Sequence, residues 1–462
     1  MHVLRRALPV TVLAALLAAV PAHARPSQEV TFEAPRDLLV DSKRDAAFTE
    51  LGSLGVRALR VVLYWKDVAP EPDSRVEPKF DETDPGGYDW SKYQPVLDGA
   101  KQRGWKVQLT ISGPVPRWAT NGARDNVTRP SPNRFRKFVT AVAKHFGDQV
   151  TRWSIWNEPN HPDFLGPQFD ARHRPASPKV YRGLYAAALR GLQDAGDAKP
   201  VLMGETAPVG TGKVVAPLTF LRGALCLSNA YKKQGKCQNL RVDGYAHHAY
   251  TTRKGPFFRP PSPNSVTIGV LGRLTSALDK AAAAGVLAKK LPVYLTEFGI
   301  QSTPDPQYGV SFQQQAEYRS YSERIAYYNS RVAAFSQYLL TDDEPIKGVP
   351  AIARYGGFES GLRTSTGKVK PALAGFRLPL VAKRHGGRIA LWGIVRPATG
   401  AAKAVVQQRD GGGSWRTLAT VTTNARGAWT RTASDHKGRE WRVRWTAPDG
   451  TTYTAPPTRA YS

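Results

Sequence analysis

A chain of 462 residues exceeds what one hydrophobic core ordinarily supports, so a large domain with a smaller companion is expected. With 41% hydrophobic and 22% charged residues it has the composition of a folded protein and not of a disordered one. The net charge of +28 raises nucleic acid as a partner, but Lys and Arg are spread along the chain with no nucleic-acid motif or dense basic tract, so that class is set aside.

The first 24 residues run from Arg5 and Arg6 through an Ala- and Leu-rich stretch to Ala22-His23-Ala24, the small-x-small pattern of signal-peptide cleavage. This predicts a secreted protein, extracellular or associated with the cell wall. No later run reaches the roughly 18 to 20 apolar residues needed to cross a bilayer, so no stable membrane span is expected.

Beyond the leader the pattern alternates. Strands are expected at 29–32, 56–65, 105–111, 150–157, 200–204, 241–250, 291–298 and 331–340, where β-branched and aromatic residues cluster. Helices are expected at 42–54, 90–103, 132–146, 178–195, 217–231, 266–284, 312–328 and 370–376. Eight strand-helix units imply parallel pairing through right-handed crossovers, and their number and length predict a (β/α)8 TIM barrel over 25–379. An open doubly wound sheet is the competing topology, but no Gly-rich phosphate loop follows a strand. The two cysteines, Cys226 and Cys237, lie close together in an exported chain, which predicts a disulfide closing a surface loop.

From about residue 380 helical spacing disappears. Short β-rich runs at 389–395, 404–408, 415–422, 429–432, 441–445 and 451–454 alternate with Gly, Asp and Asn turns, predicting a small sandwich-like all-β domain over 380–462. Between Lys383 and Arg459 it carries fourteen Lys and Arg against four acids. Such a basic module suits an acidic cell-wall or polysaccharide surface; solubility alone is the plainer use. A monomer is the expectation.

In a barrel of this kind the active face is formed by the C-terminal strand tips. Acids expected there are Glu158 after the fourth strand, Glu205 after the fifth and Glu297 after the seventh. Pro159 cannot donate to a sheet ladder, which leaves Asn157 and Glu158 at a tip. Alternation places Val293, Leu295 and Glu297 on one strand face, so Glu297 points into the mouth. Two carboxylates converging there are what glycosidic cleavage needs: one protonates the leaving oxygen while the other attacks or stabilises the anomeric carbon. Trp65, Trp118 and Tyr250, at loop-proximal strand ends, are candidates for stacking on sugar rings.

Trp156-Asn157-Glu158-Pro159 and Thr296-Glu297-Phe298-Gly299 resemble the two signatures of the retaining glycoside hydrolases of the large (β/α)8 clan that includes cellulase-type, mannanase and xylosidase/iduronidase families. The resemblance covers about 29–379. It implies Glu158 as general acid/base, Glu297 as nucleophile and Asn157 as a hydrogen-bond partner of the sugar 2-hydroxyl. It further implies Arg60 as a partner of the nucleophile, with a His and Tyr250 from the sixth strand nearby; parity with Tyr250 selects His248. The Trp that many clan members carry after the eighth strand is absent, and Tyr338, Tyr355 and Phe358 are the candidates to replace it. Adjacent His247 and His248 point to opposite strand faces, so no metal is expected, nor any other cofactor. The implied activity is hydrolysis of a β-linked poly- or oligosaccharide; the other reading is a non-catalytic carbohydrate- or surface-binding protein on the same barrel.

Overall fold

The computed structural model describes residues 28–122, 125–398 and 400–461. The leader expected at 1–24 lies outside them. Eight strands close into a parallel barrel: β1 (Glu29–Glu33), β2 (Ala58–Tyr64), β3 (Lys106–Ser112), β4 (Arg152–Ile155), β5 (Val201–Thr206), β6 (Gly244–His248), β7 (Val293–Glu297) and β8 (Val332–Tyr338), with β8 pairing back onto β1. Helices α1 (Pro35–Leu38) and α2 (Asp41–Ser53) follow β1, and α3 (Trp65–Val68) and α4 (Gln94–Gln102) follow β2. The remaining crossovers carry α5 (Pro132–Phe146), α6 (Ser177–Asp194), α7 (Pro217–Ala224), α8 (Leu271–Ala283), α9 (Phe312–Tyr327) and α10 (Pro371–Arg377) in turn.

Local chemistry explains these boundaries. Helices α5, α7 and α10 begin on a Pro, whose missing N–H would be unpaired there in any case. Ser311 and Gln314 form a capping box at the start of α9. Helix α5 turns Phe135, Phe138, Val139, Val142 and Phe146 inward at helical spacing and so docks on the barrel wall.

Several expected elements are shorter, two of them where the backbone turns left-handed. The helix expected at 217–231 stops at Ala224, and Cys226 lies outside it with a left-handed φ of 54°. No Gly marks this stop, because Cys226 takes the conformation that Gly usually supplies; it is bonded to Cys237. The strand expected at 150–157 ends at Ile155, because Trp156 and Glu158 also adopt left-handed backbone, with φ of 72° and 39°.

The C-terminal all-β domain contains β9 (Leu380–His385), β10 (Arg388–Ile394), β11 (Lys403–Arg409), β12 (Arg416–Thr422), β13 (Ala428–Ser434), β14 (Glu440–Thr446), β15 (Thr452–Thr454) and β16 (Thr458–Arg459). One antiparallel sheet orders β13-β10-β9, and the other orders β12-β11-β14-β15 with β16 also on β14. Alternation on β14 buries Trp441, Val443 and Trp445 between the sheets and leaves Arg442 and Arg444 outward. The domain docks on α9, where Tyr321 and Tyr327 pack with Val381, Trp392 and Ile394. Glu323 of α9 is paired there with both Arg319 and Arg396, all three buried.

Candidate active site

Polar side chains from the ends of β1, β5 and β7 and from the tip beyond β4 converge on one guanidinium, that of Arg60 on β2. Arg60, inward-facing on β2 and only 2% exposed, is paired with Glu33 from β1, with Glu205 from β5 at 2.5 Å and with Glu297 from β7 at 2.9 Å. It also donates to Asn157 Oδ1 at 2.6 Å. Burial works against its charge, but the three carboxylates hold the guanidinium firmly cationic.

Glu297 is the last residue of β7 and is further fixed by Tyr250, whose hydroxyl donates to Oε1 at 2.6 Å. Burial, followed by the negative charge of Glu297, keeps the Tyr250 phenol protonated. Glu158 projects from the tip beyond β4. Its backbone N–H bonds to Glu205 O at 3.1 Å, and its side chain reaches His248. His248 Nδ1 lies 2.9 Å from Glu158 Oε1 and 3.7 Å from Glu297 Oε2, so one imidazole nitrogen stands between the two carboxylates. Burial lowers the His248 pKa to about 4, leaving the ring neutral near pH 7. Burial also raises Glu158 to about 7, which lets it hold a proton at neutral pH.

His247 points the opposite way, as strand alternation requires. Its Nδ1 meets Thr206 Oγ1 at 2.9 Å and its Nε2 meets Val266 O at 2.8 Å. Among the described residues no group of acids, histidines or cysteines is arranged to hold a metal ion.

Glu205, considered beside the pair in the sequence, has a different place. It is fully buried, and besides Arg60 it accepts from Gln108 at 3.0 Å and Thr110 at 2.8 Å. Arg60 overcomes the effect of burial and holds this carboxyl below the usual range, so Glu205 is the permanent counter-ion that anchors Arg60. Its φ of 49° marks a local break in the β5 to β6 register, which frees its carbonyl for Glu158.

Two expected stacking residues are corrected. Trp65 is fully buried, lying flat on Phe138 with ring centres 4.7 Å apart and edge-on to Trp118. Trp118 is 4% exposed and packs against Phe80 while its indole N–H donates to Pro70 O at 3.0 Å. Phe135 and Phe138 of α5 cover Trp65, and Phe80 from the long segment after β2 covers Trp118, leaving no face for a sugar. The aromatic rings that do border the mouth are Tyr250, Tyr338 and Phe358. Phe358 lies 5.7 Å from Tyr250 and 5.0 Å edge-on to Tyr338, and all three are partly exposed.

Sequence reasoning passed over Glu33. Ending the first strand at 32 left this acid off the list of tips, although it directly follows the Val30 to Phe32 stretch of that strand. It is nearly buried against Arg60, and burial reinforced by Glu297 and Glu205 pushes its carboxyl well above the usual range.

Fold and mouth together define a closed (β/α)8 barrel with glutamates on the tip beyond its fourth strand and at the end of its seventh. More particularly, the fold is similar to that of solved family 39 glycoside hydrolases. A family 39 enzyme from Bacteroides cellulosilyticus WH2 superposes with a TM-score of 0.53 at 15% identity, over 88% of this chain and 81% of that one. A monomeric beta-xylosidase from Caulobacter crescentus CB15 gives 0.53 at 17% identity, over 94% and 98% of the two chains. A glucosidase from Croceicoccus marinus gives 0.52 at 12%, over 91% and 95%. At these identities the likeness is one of fold. No protein-family model and no curated protein matches the chain.

Proposed function

We propose that this protein is an exported retaining O-glycoside hydrolase that cleaves β-linked poly- or oligosaccharide through a covalent glycosyl-enzyme on Glu297. The observation that carries this reading is the shared contact with His248. A nitrogen 2.9 Å from Glu158 Oε1 and 3.7 Å from Glu297 Oε2 holds those two oxygens within the two distances laid end to end, about 6.6 Å. A retaining pair works at about 5 to 5.5 Å, a separation inside that limit, whereas nearly all of the inverting range of about 6.5 to 9.5 Å, which admits a water between base and anomeric carbon, lies beyond it.

In the first step Glu297 attacks the anomeric carbon while protonated Glu158 gives its proton to the departing glycosidic oxygen. The C–O bond to the leaving group breaks as the bond to Glu297 forms. In the second step Glu158, now a carboxylate, takes a proton from water, whose oxygen displaces Glu297 and restores both residues. Arg60 and Tyr250 orient Glu297 and bear the charge it regains. Asn157, with Oδ1 engaged by Arg60, offers its amide N–H groups to the sugar 2-hydroxyl. A neutral His248 lets the proton reside on Glu158.

A binding protein would have no use for an acid poised near neutrality beside a second, fixed carboxylate, so the non-catalytic reading is the weaker one. Export is supported by the Cys226–Cys237 disulfide. The test is to follow hydrolysis of aryl β-glycosides by proton NMR. First-formed product with β configuration, absent in Glu297→Ala, supports retention; α product would overturn it, and no turnover of any aryl glycoside or polysaccharide would return the binding reading.

A further inference from the structure

The barrel is not closed equally along its length. Strands β2 and β3 are paired over seven residues, from Ala58↔Lys106 to Tyr64↔Ser112, whereas β1 and β2 meet at Phe32↔Leu59 alone. Beyond that point β1 has one residue left, Glu33, whereas β2 runs on to Tyr64 with no β1 partner. This open flank leaves a trace in burial: Leu59 and Leu63 of β2 are fully buried, but Val61 and Val62, on opposite faces of the same strand, remain 5% and 7% exposed.

A cavity of about 590 Å³ fills this seam. Its inner wall is formed by Glu33, Arg60 and Tyr64, with Tyr338 from β8. Arg60 bonds directly to Glu297, so the inner end of the cavity is one side chain away from the nucleophile. Farther out, Leu39 supplies apolar surface while Lys43 and Lys92 supply donors. Cavities of about 300 to 1,000 Å³ with apolar walls and a few polar groups enclose drug-sized ligands, roughly the bulk of a disaccharide.

The direction of this cavity has a chemical meaning. Glu158 follows β4, which lies across the closed barrel from β8, whereas the cavity is bordered by the ends of β8, β1 and β2. The acid must stand beside the oxygen that leaves, so the leaving group departs on the β4 side. The non-reducing end of the sugar bound over Glu297 then points toward the seam.

Resting on the glycosidase reading above, we infer that the β1/β2 seam is a glycone-side subsite that holds at least one further sugar unit, so that the enzyme acts on oligosaccharide chains and not on single terminal sugars. Glu33 at its inner end accepts from Arg60 through Oε2; among the described residues nothing donates to its Oε1, which is left for a sugar hydroxyl.

The test compares p-nitrophenyl β-xyloside, β-glucoside and β-mannoside with the glycosides of the matching β-1,4-linked disaccharides, measuring nitrophenol and the sugar released. For the sugar that is accepted, the disaccharide glycoside should react with at least tenfold higher kcat/KM and release intact disaccharide. Leu39→Trp, which fills the outer half of the seam away from the carboxylates, should bring that ratio close to one and leave the monosaccharide glycoside unaffected. Equal or better turnover of the monosaccharide glycoside by the wild-type enzyme, or release of terminal monosaccharide from the disaccharide glycoside, overturns the subsite while sparing the glycosidase reading. Failure to hydrolyse any of them, or the parent polysaccharides, overturns both.

Discussion

Arg60 Nη1 donates to Glu297 Oε2 at 2.9 Å, and this bond joins the second strand of the barrel to the seventh across its interior. The same guanidinium holds Glu33, Glu205 and Asn157, so it fixes both Glu297 and the residue preceding Glu158. Removing it leaves buried carboxylates without compensation. Arg60→Met is expected to cost about 3 to 5 kcal/mol in urea unfolding. Arg60→Lys, which keeps a charge but loses the fork, is expected to fold and to lose about a hundredfold or more in kcat.

The two glutamates should separate in small-molecule rescue. In the proposed retaining mechanism Glu158→Ala still forms the glycosyl-enzyme from an activated aryl β-glycoside, so azide should trap it as the β-glycosyl azide. Glu297→Ala cannot form that intermediate, so azide should attack directly and give the α-glycosyl azide. NMR of the two products checks the assignment, and exchanged configurations would reverse the roles.

The pH dependence follows from Glu158. Its pKa, raised to about 7 first by burial, means that the proton needed by the leaving group is present below neutrality and lost above it. Activity should therefore fall about tenfold per pH unit on the alkaline side of about pH 7. In Glu158→Gln, assayed with an activated aryl glycoside, that limb should vanish. For stability the sign is the same: the stabilising uptake of this proton is complete below the carboxyl's ordinary value of 4.5 and is lost as pH rises through about 7.

The disulfide lies outside the barrel wall and away from the mouth. Cys226 and Cys237 are 11 residues apart, and closing a loop of that size in the unfolded chain contributes up to about 3 kcal/mol. Cys226→Ser with Cys237→Ser should lower stability to that extent in denaturant titration, with kcat unchanged.

Glu323 is the buried acid between Arg319 of the same helix and Arg396 of the β-domain. Glu323→Ala leaves two buried cations facing each other and should cost about 3 to 5 kcal/mol. Limited proteolysis should then cut first between the barrel and the β-domain. An unchanged digestion pattern would show that the aromatic contact around Tyr321, Tyr327 and Trp392 is sufficient to hold the two together.

The sequence by itself determined what depends on period and position along the chain. Alternation of strand and helix specified the barrel, because parallel strands buried on both faces read as apolar runs and their crossovers as amphipathic ones. Parity along the strands aimed Glu297 and His248 inward, because a strand turns successive side chains to opposite faces. Tertiary structure decided what depends on neighbours remote in sequence. Trp65 and Trp118 look like sugar platforms until Phe138 of α5 lies on the one and Phe80 from the segment after β2 packs on the other. Glu205 looks like a third catalytic acid until Gln108, Thr110 and Arg60 surround it, and Glu33 is overlooked until β1 extends by one residue beyond the expected end. The burial that raises Glu158, and the single imidazole nitrogen shared by Glu158 and Glu297, exist only once three strand tips meet. Spacing along a chain fixes which way a side chain points, but not which charges it meets or how much water they keep.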